Sequence, residues 1–496
     1  MQQNYHKFTS LTKVEEDDEM FQKNTLVFSI EDILLKSSSM FPYFMLVAFE
    51  GGGPIRALIL LLMYPFLCIL DEDLRFEIMV FICFFGIKKE RFKIGKTVLP
   101  KFFLENVGCE SLEVVMKFGR KVGVTILPKV MVEGFLMDFL GVEDIIGREI
   151  GVISGYYTGL LDKSEIGKNK QQKIFSHMMS EESQYVGICG FTKSYKIRPF
   201  NILKDIYLVS KDDKKSWNNL PIEKYPKPLI FHDGRLAFLP TPLDTLTMFM
   251  WLPFGIILSI TRVLVAVLLP HEVCSPIAAF LGLRYPYTPS KDNPKYTNKP
   301  ENSKGMIYVC NHKTLLDAVY VSHICRMNLF TLTYSISKLS KFLCPIDTIE
   351  LTRDREKDAA IMYKVLSQGR NVILCPEGTT CREPYLLRFS PLFAELSDDI
   401  NPIALQVDVS MFYGTTASGI KAFDPFFFMM NPWPSYHVKF LDKLPKEWTC
   451  GSGGRTRFEV ANYVQDMIGK ALSYTCTGLT RKDKYLVLAG NNGLYH

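Results

Sequence analysis

A histidine and an aspartate five residues apart form the first group in this sequence that could do chemistry. His312 and Asp317 lie in the stretch Asn311-His-Lys-Thr-Leu-Leu-Asp317, directly after the apolar run 306–309. An imidazole can remove a proton from a hydroxyl near neutral pH, and a carboxylate can fix its tautomer and stabilise the imidazolium that forms. This spacing suits a turn that opens a helix. The pair predicts a general base, but an ordinary histidine at a helix start would have the same spacing.

Two arginines form a second group in Leu351-Thr-Arg353-Asp-Arg355. Side chains two residues apart on an extended segment point to the same side of the chain. Guanidinium groups bind phosphate through paired hydrogen bonds. The segment therefore predicts a phosphate site, with a solvated charged loop as an alternative that this motif alone does not exclude.

A glycine-containing segment forms the third group. The sequence Pro376-Glu377-Gly378-Thr379-Thr380 leaves an apolar run that begins at Asn371. Glycine lets the backbone approach a ligand closely, and the hydroxyls and amides that follow can hold an anion. An ordinary strand-to-helix turn is the alternative. Each of the three groups directly follows a predicted strand.

Two α/β domains are predicted to position these groups. Short β-branched runs alternate with charged, helix-like segments, which is typical of a mostly parallel sheet. The predicted strands of the amino-terminal half are 25–30, 122–126, 150–153 and 206–209. Those of the carboxyl-terminal half are 306–309, 331–334, 371–374, 402–405 and 436–440. The fold class is α/β, with a polar tail at 1–20, a first domain at 21–240, an apolar helical segment at 241–289 and a second domain at 290–496.

The apolar segment carries the strongest membrane signal. Residues 245–261 contain no charge, and the run continues at 263–269 beyond Arg262. A charged side chain at mid-bilayer costs about 2.5–3.5 kcal/mol on insertion scales. A spanning helix and a broken helix pair in one leaflet are therefore equally good predictions. The runs 40–70 and 78–87 are interrupted or short, and they predict core or interfacial helices.

Composition limits the possible classes of protein. The 496 residues contain 58 Lys and Arg against 52 Asp and Glu, a net charge of +6, which fits an anionic surface or substrate. Charged residues make up 22% and hydrophobic residues 47%, so the chain is neither disordered nor a tail that coats nucleic acid. The twelve cysteines include no Cys-x-x-Cys pair, so we expect reduced thiols without a structural zinc site or a disulfide framework. Residues 1–20 have no apolar core and are not rich in arginine, so a cleaved targeting peptide is not expected.

The order of the three groups resembles the sequence blocks of the glycerolipid acyltransferases. These blocks run Asn-His-x4-Asp, a phosphate-binding arginine segment, Pro-Glu-Gly-Thr, and an apolar segment with proline. Further segments resemble the glycerol-3-phosphate acyltransferases of land plants, from about residue 25 to the carboxyl end. They are 334–340, 351–355, Cys375-Pro-Glu-Gly-Thr-Thr-Cys-Arg-Glu-Pro384, 387–390, 401–405 and 480–490.

The resemblance implies direct acyl transfer from acyl-CoA, as co-substrate, to a hydroxyl of glycerol-3-phosphate, giving lysophosphatidic acid. It implies that His312 is the general base, that Asp317 orients it and that Arg353 binds the phosphate, without a metal or other cofactor. The other substrate-binding residues that it implies are Arg355, Glu377, Gly378, Thr379 and Pro402. No Gly-x-Ser-x-Gly elbow occurs in the sequence, so a serine nucleophile is not indicated.

The amino-terminal domain resembles the haloacid-dehalogenase-like (HAD-like) phosphatases in a degenerate form. Active members carry Asp-x-Asp-Gly-Thr after the first strand, where the first aspartate is the nucleophile and both help to hold magnesium. Here Ser29 stands at the nucleophile position, Glu31 at the second aspartate and Asp32 where the glycine belongs. The late acidic loop aligns near 187–194, where no carboxylate occurs. The resemblance therefore implies a domain that keeps the fold without phosphatase activity.

The apolar segment 245–283 would place acyl transfer at a lipid bilayer. We expect the endoplasmic reticulum, with a mitochondrial membrane as the alternative, and no nucleic-acid partner. Three other functions stay open: a lysophospholipid acyltransferase with the same blocks, a lipid-phosphate phosphatase working through the first domain, and a membrane scaffold without catalysis. The sequence leaves the acylated position, the acyl chain, the oligomeric state and the pathway (membrane or storage lipid, cutin or suberin) undetermined.

Overall fold

The computed structural model describes residues 3–12, 19–162, 176, 184–191, 199–290, 304–333, 341, 344–352 and 354–491. The chain forms two compact units. The first comprises Met1–His232 with Leu239–Leu246, and the second comprises Asp233–Phe238 with Thr247–His496. Each unit is built around its own sheet.

A six-stranded sheet of parallel strands forms the centre of the first unit. In spatial order its strands are Asn4–Lys7, Asp205–Val209, Tyr185–Gly190, Thr25–Ser29, Arg120–Pro128 and Asp144–Arg148. This arrangement confirms the predicted parallel sheet. Because Thr25–Ser29 lies between two other strands, the residues that follow it leave the middle of the sheet at its carboxyl edge.

One predicted strand of the first unit is present but belongs to a separate hairpin. The segment Ile150–Ile153 lies outside the parallel sheet and pairs antiparallel with Tyr156–Leu161. Ser154 and Gly155 connect the two strands, with φ angles of 51° and 81°. Two consecutive residues with positive φ form the tight turn that matches the twist of a two-stranded hairpin.

Helices cover the first unit. They are Phe8–Leu11, Glu19–Lys23, a π-helical turn Ile30–Leu34, Phe41–Ile69, Glu72–Phe84, Ile94–Thr97, Leu99–Asn106, Cys109–Lys117, Lys129–Leu140 and Lys211–Ser216. The first nine residues of Phe41–Ile69 are buried, as the core prediction for this run requires. The helix breaks at Gly53, which has a φ of 80°, and the part beyond it exposes Ile55 and Ile69 by 75% and 84%.

A seven-stranded sheet forms the centre of the second unit. In spatial order its strands are Thr348–Glu350, Leu329–Thr333, Asn371–Leu374, Ile307–Cys310, Ile400–Asp408, Ser435–Phe440 and Tyr287–Thr288. All neighbours are parallel except Ile400–Asp408 and Ser435–Phe440, which are antiparallel. A further short pair, Tyr385–Leu386 and Thr475–Cys476, lies apart from this sheet. The five strands predicted for the carboxyl-terminal half are all present.

Successive side chains of the central strand, Ile307–Cys310, point to opposite faces of the sheet and so belong to two apolar layers. Ile307 and Val309 belong to one buried cluster, while Tyr308 and Cys310 belong to another. Helices cover both layers. The helices of the second unit are Asp317–Cys325, Arg355–Ser367, Asp424–Met429, Arg457–Leu472 and Arg481–Ala489, preceded by the apolar helices Pro242–Leu268 and His271–Phe280.

The strongest membrane signal of the sequence forms one long helix. Pro242–Leu268 continues through Pro253 for 27 residues, and a second apolar helix, His271–Phe280, follows after Pro270. A long helix and a helix pair are thus both present, and whether the long helix spans a bilayer stays a prediction. Among the described residues, this helix and Phe41–Ile69 are the two that are long and apolar enough to cross a membrane.

Candidate active site

Two loops of the second unit leave neighbouring strands at the same edge of the sheet. Strands Ile307–Cys310 and Asn371–Leu374 are parallel, and Val309 pairs with Leu374. Parallel neighbours end at the same side. The loop that begins at Asn311 and the loop that begins at Cys375 therefore lie next to each other, although 64 residues separate them in the sequence.

His312 and Asp317 meet as the spacing predicts. The Nδ1 atom of His312 lies 2.8 Å from Oδ2 of Asp317. Asp317 is the first residue of helix Asp317–Cys325, and its carboxylate accepts backbone N–H groups of Lys313 and Thr314 at 2.6 and 2.9 Å. These bonds close a tight turn between the strand and the helix, and the turn folds the imidazole back onto the carboxylate. Because Nδ1 is held by Asp317, Nε2 is the nitrogen that remains for a substrate.

Tyr436 holds the other oxygen of the same carboxylate. Its hydroxyl donates to Oδ1 of Asp317 at 2.5 Å and contacts the hydroxyl of Thr314. Tyr436 is fully buried, and burial together with the Asp317 charge raises the pKa of its phenol, which keeps it a proton donor. It comes from strand Ser435–Phe440, more than a hundred residues away, and no sequence signal marked it.

The electrostatic surroundings of His312 favour its protonated form. Burial lowers the pKa of His312, but Cys375 and the Asp317 carboxylate raise it by more, so that the pKa lies well above its ordinary value. A general base with a raised pKa binds the transferred proton more strongly, but it is neutral over a narrower pH range.

Glu377 joins the two loops. Its Oε1 accepts the backbone N–H of His312 at 2.7 Å, and its Oε2 accepts that of Leu387 at 2.9 Å. Burial raises the pKa of Glu377 to about 7, against these two hydrogen bonds, which lower it. Gly378 has a φ of 65°, and its N–H donates to the carbonyl of Cys375. The Cβ of another residue would meet nothing within 4 Å there, so the backbone angle, and not space, favours glycine.

The two threonines after Gly378 are held by a buried lysine. Nζ of Lys484 donates to Oγ1 of Thr379 at 3.3 Å, to Oγ1 of Thr380 at 3.0 Å and to the carbonyl of Thr380 at 2.6 Å. Burial lowers the pKa of Lys484 to about 8. Lys484 belongs to the carboxyl-terminal helix Arg481–Ala489. Sequence reasoning found the segment around it only through the family resemblance and assigned this lysine no role.

The arginine pair does not form on an extended segment. Arg353 lies outside the described residues. Arg355 is the first residue of helix Arg355–Ser367, because Asp354 caps this helix through its side chain. The guanidinium of Arg355 donates to both carboxylate oxygens of Glu395 at 2.9 and 2.7 Å. The extended conformation predicted for Arg355 is therefore wrong, and its guanidinium is bound within the protein.

Pro402 also lies away from the site edge. It is buried in strand Ile400–Asp408 and pairs with Val309, three residues before His312. This register places Pro402 within the sheet, before the edge where the loops begin. The position of Pro402 favours a packing role over the predicted contact with substrate.

A cavity of about 370 Å³ opens beside the second loop. Cys375, Glu377 and Gly378 form one part of its wall, and the cations Arg388 and Arg481 form another. The apolar side chains that line it are Leu332, Leu351, Met362, Leu374, Phe389, Leu392, Phe393 and Phe458. The site thus combines a base held by a carboxylate with a neighbouring cavity that is both cationic and apolar.

Three potential metal ligands lie together at the base. One ligand atom each from His312, Asp317 and Cys375 lies within 4.8 Å of the others. The Asp317 carboxylate, however, already accepts five hydrogen bonds. The contact with Cys310 and burial raise the pKa of Cys375, which disfavours the thiolate that binds metals. The donor set fits an oriented imidazole better than a metal centre.

The first unit contains the degenerate phosphatase positions at the carboxyl edge of its sheet. Oε1 of the buried Glu31 accepts the hydroxyl of Thr125 at 2.5 Å and the backbone N–H groups of Ile126 and Leu127 at 3.0 and 3.1 Å. Burial raises the pKa of Glu31, and its Oε2 is buried without a hydrogen-bond partner. This carboxylate is turned onto hydrogen-bond donors of its own unit.

Ser29 and Asp32 complete that arrangement. The hydroxyl of Ser29 donates to Oδ2 of Asp32 at 3.1 Å, and the N–H of Gly190 donates to the same oxygen at 3.3 Å. Magnesium prefers an octahedral set of oxygen ligands. Here the carboxylate oxygens of Asp32 and Glu31 mostly face N–H and O–H groups. These residues do not fit the magnesium site of an active phosphatase.

Known protein families match both halves of the chain. Residues 25–209 match the family described as the HAD-like domain of RAM2-like glycerol-3-phosphate acyltransferases. Residues 292–406 match the acyltransferase family. The first match confirms the HAD-like fold predicted for the amino-terminal half, and the second defines the carboxyl-terminal half as an acyltransferase domain.

Similarity to plant proteins extends over almost the whole chain. The chain is 49% identical over 479 residues to the probable glycerol-3-phosphate acyltransferase 3 of Arabidopsis thaliana, covering 95% of this chain and 91% of that protein. It is 47% identical to the probable glycerol-3-phosphate acyltransferase 2 of the same plant, with 95% and 90% covered. It is 40% identical to the glycerol-3-phosphate acyltransferase RAM2 of Petunia hybrida, with 94% and 97% covered. The chain therefore belongs to the plant glycerol-3-phosphate acyltransferase family.

Proposed function

We propose that this protein transfers an acyl group from acyl-CoA to a hydroxyl of glycerol-3-phosphate, with His312 as the general base. Nε2 of His312 takes the hydroxyl proton while the oxygen attacks the thioester carbon. The thioester bond then breaks, the imidazolium of His312 returns the proton to the leaving sulfur, coenzyme A leaves as its thiol, and the product is lysophosphatidic acid. The single observation that carries this proposal is the 2.8 Å contact between Nδ1 of His312 and Asp317, which orients Nε2 and stabilises the imidazolium.

Glu377 has a positioning role in this proposal. Its two hydrogen bonds hold the His312 backbone and the loop after Tyr385–Leu386 in one arrangement. Gly378 and Thr379 would shape the pocket for glycerol beside the base, and Arg353 would bind the phosphate. An acceptor competition tests the substrate. Radioactive acyl-CoA is given with another acceptor, and added unlabelled glycerol-3-phosphate should reduce the amount of that acceptor that becomes labelled. Suppression by lysophosphatidic acid instead would favour a lysophospholipid acyltransferase.

We propose that acyl transfer needs no metal ion. The support is the hydrogen-bond occupancy of Asp317, whose oxygens are already used by the protein. The rate should be the same before and after dialysis against EDTA. A loss of rate that added magnesium restores would contradict this part of the proposal.

We also propose that helix Pro242–Leu268 binds a lipid bilayer, with the endoplasmic reticulum as the expected membrane. One side of the helix is exposed and apolar. Six of its exposed apolar residues within the second unit recur every three or four positions: Met250, Phe254, Ile257, Ile260, Leu264 and Leu268. Ile256 is exposed beside them. A continuous apolar stripe of this kind suits the acyl region of a membrane surface, where acyl chains also partition.

The other side of the same helix is bound to the second unit. Trp251 donates to the carbonyl of Met430 at 2.8 Å, and Ser259 donates to that of Phe426 at 2.9 Å. Arg262 is 1% exposed, and all its hydrogen bonds run to backbone carbonyls of residues 281 and 429–432. The charge of Arg262, which would disfavour insertion into a bilayer, is thus buried and hydrogen-bonded inside the protein.

Vesicle flotation tests this membrane contact. The full chain should float with phosphatidylcholine vesicles, and a variant with Phe254→Lys and Ile257→Lys should float less. Equal flotation of the variant and the parent protein would contradict a membrane role for this stripe. Fractionation of plant cells, with the protein recovered away from the endoplasmic reticulum, would contradict the expected membrane.

A further inference from the structure

The cavity beside the catalytic loop contains more positive than negative charge. Arg388 and Arg481 line it, while Glu377 is the only acidic residue in its described wall. The two oxygens of Glu377 are each used by a backbone N–H, so this carboxylate is not paired with either arginine. A cavity lined by two arginines and one carboxylate has an excess of positive charge, which attracts an anion.

Arg388 is an exposed residue that lines the cavity. Its backbone is fixed, since its N–H donates to the carbonyl of Leu479 at 2.9 Å. Within the described part of the chain, no hydrogen bond or ion pair engages its side chain. An arginine that is held at the backbone and unpaired at the head group is well placed to bind an external anion.

Other arginines near the loop are already used by the protein. Arg382 lies over the ring of Tyr413, donates to the carbonyl of Gly234 and lies 3.7 Å from Asp233. Arg355 is bound to Glu395, as described above. These contacts give both arginines a structural role, and neither lines the cavity.

Arg481 is placed by the carboxyl-terminal helix. Helix Arg481–Ala489 begins at this residue, and Lys484, one turn further on, is anchored to Thr379 and Thr380. The same helix therefore stabilises the catalytic loop and sets one arginine at the cavity beside it, where the guanidinium of Arg481 also lies over the ring of Tyr485, 5.3 Å from the ring centroid. Thr480, which precedes the helix, also lines the cavity.

We propose that Arg388 and Arg481 form a binding subsite for the phosphate group of the acceptor substrate, in addition to Arg353, which the proposed function assigns to this phosphate. This subsite rests on the proposed function, because the acceptor must carry a phosphate ester. It would lie beside the loop whose Glu377 binds the backbone of His312, so a phosphate held there keeps the glycerol near the base. Coenzyme A also carries phosphate groups, and the experiment below separates the two sources.

Direct binding measurements test the subsite without relying on turnover. Isothermal titration calorimetry on the full chain in detergent would measure the Kd for glycerol-3-phosphate, for glycerol and for coenzyme A. The proteins are the parent, Arg388→Gln, Arg481→Gln and the control Arg370→Gln, which changes an exposed arginine of the same unit outside the cavity. Each subsite variant should weaken glycerol-3-phosphate binding about tenfold or more. Coenzyme A binding and the control should be unchanged.

Two results would overturn the subsite: glycerol-3-phosphate binding that is the same in all four proteins, or weakening that affects coenzyme A alone. Arg388→Lys and Arg481→Lys, which keep the charge, should bind better than the glutamine variants, and an equal loss would also count against it. Failure of the proposed function is distinguishable, because it would appear as missing acyl transfer in a parent protein whose binding is still measurable.

Discussion

The carboxylate of Glu377 accepts the backbone N–H of His312 at 2.7 Å, so the two loops of the site are joined through the residue that carries the base. The same side chain holds Leu387 with its other oxygen. A buried carboxylate between two backbone donors fixes the distance between two strand ends. We interpret Glu377 as the residue that sets where the imidazole stands.

Replacing Glu377 with glutamine should disturb this link. One glutamine oxygen can still accept an N–H, but the amide nitrogen would face the other N–H donor. An unsatisfied buried donor costs about 1–3 kcal/mol. We expect a lower thermal unfolding temperature and a lower kcat, with Glu383→Gln as a nearby control. Unchanged values of both in Glu377→Gln would show that the link is dispensable.

The pH dependence of acyl transfer should report the His312 pair. The base works only when it is neutral, so the rate should fall as the pH is lowered through its pKa. Because this pKa is raised, half of the maximal rate should be reached above the ordinary histidine value of about 6.5. In Asp317→Asn the acidic limb should move to lower pH, and the maximal rate should fall roughly 10²-fold. An acidic limb at the same pH in both proteins would exclude Asp317 as the cause of the shift.

Lys484 should matter more than its neighbour on the same helix. Lys484→Met removes three hydrogen bonds to the threonine loop, whereas Lys482→Met changes an exposed side chain. We expect a loss of about 1–3 kcal/mol in the free energy of unfolding for Lys484→Met and little change for the control. Denaturant unfolding measures both. Equal stability of the two variants would remove the anchoring role of this helix.

The amino-terminal unit should not hydrolyse lysophosphatidic acid. Ser29 cannot supply the aspartyl nucleophile, and Glu31 is held by Thr125 and two backbone N–H groups. A phosphate-release assay with purified protein and added magnesium should give the same background for the parent and for Ser29→Ala. Release that EDTA abolishes would show an active phosphatase and change the expected product to monoacylglycerol.

The sequence predicts those parts of the site that follow from local order. His312, Asp317 and Glu377 each come directly after an apolar run, and the structure brings them together because those runs are neighbouring parallel strands. Tyr436 and Lys484 reach the same site only through the tertiary fold. Their sequence surroundings contain nothing that distinguishes them from other buried polar residues.

The extended conformation expected at Arg355 is wrong for a local reason: Asp354 is a favourable helix cap, and a helix begins at Arg355. The substrate contact of Pro402 stays a prediction. Strand register places Pro402 opposite Val309, before the sheet edge. Local sequence does not give this position, because register depends on long-range pairing.

The most direct test of the account is acyl transfer by His312→Ala beside the parent protein. Microsomes that contain equal amounts of each protein would receive radiolabelled acyl-CoA and glycerol-3-phosphate, with His437→Ala, an exposed histidine of the same unit, as the control. We predict that His312→Ala loses about 10²-fold or more of the rate while the control keeps it. Equal formation of lysophosphatidic acid by His312→Ala and the parent protein would contradict the proposed mechanism.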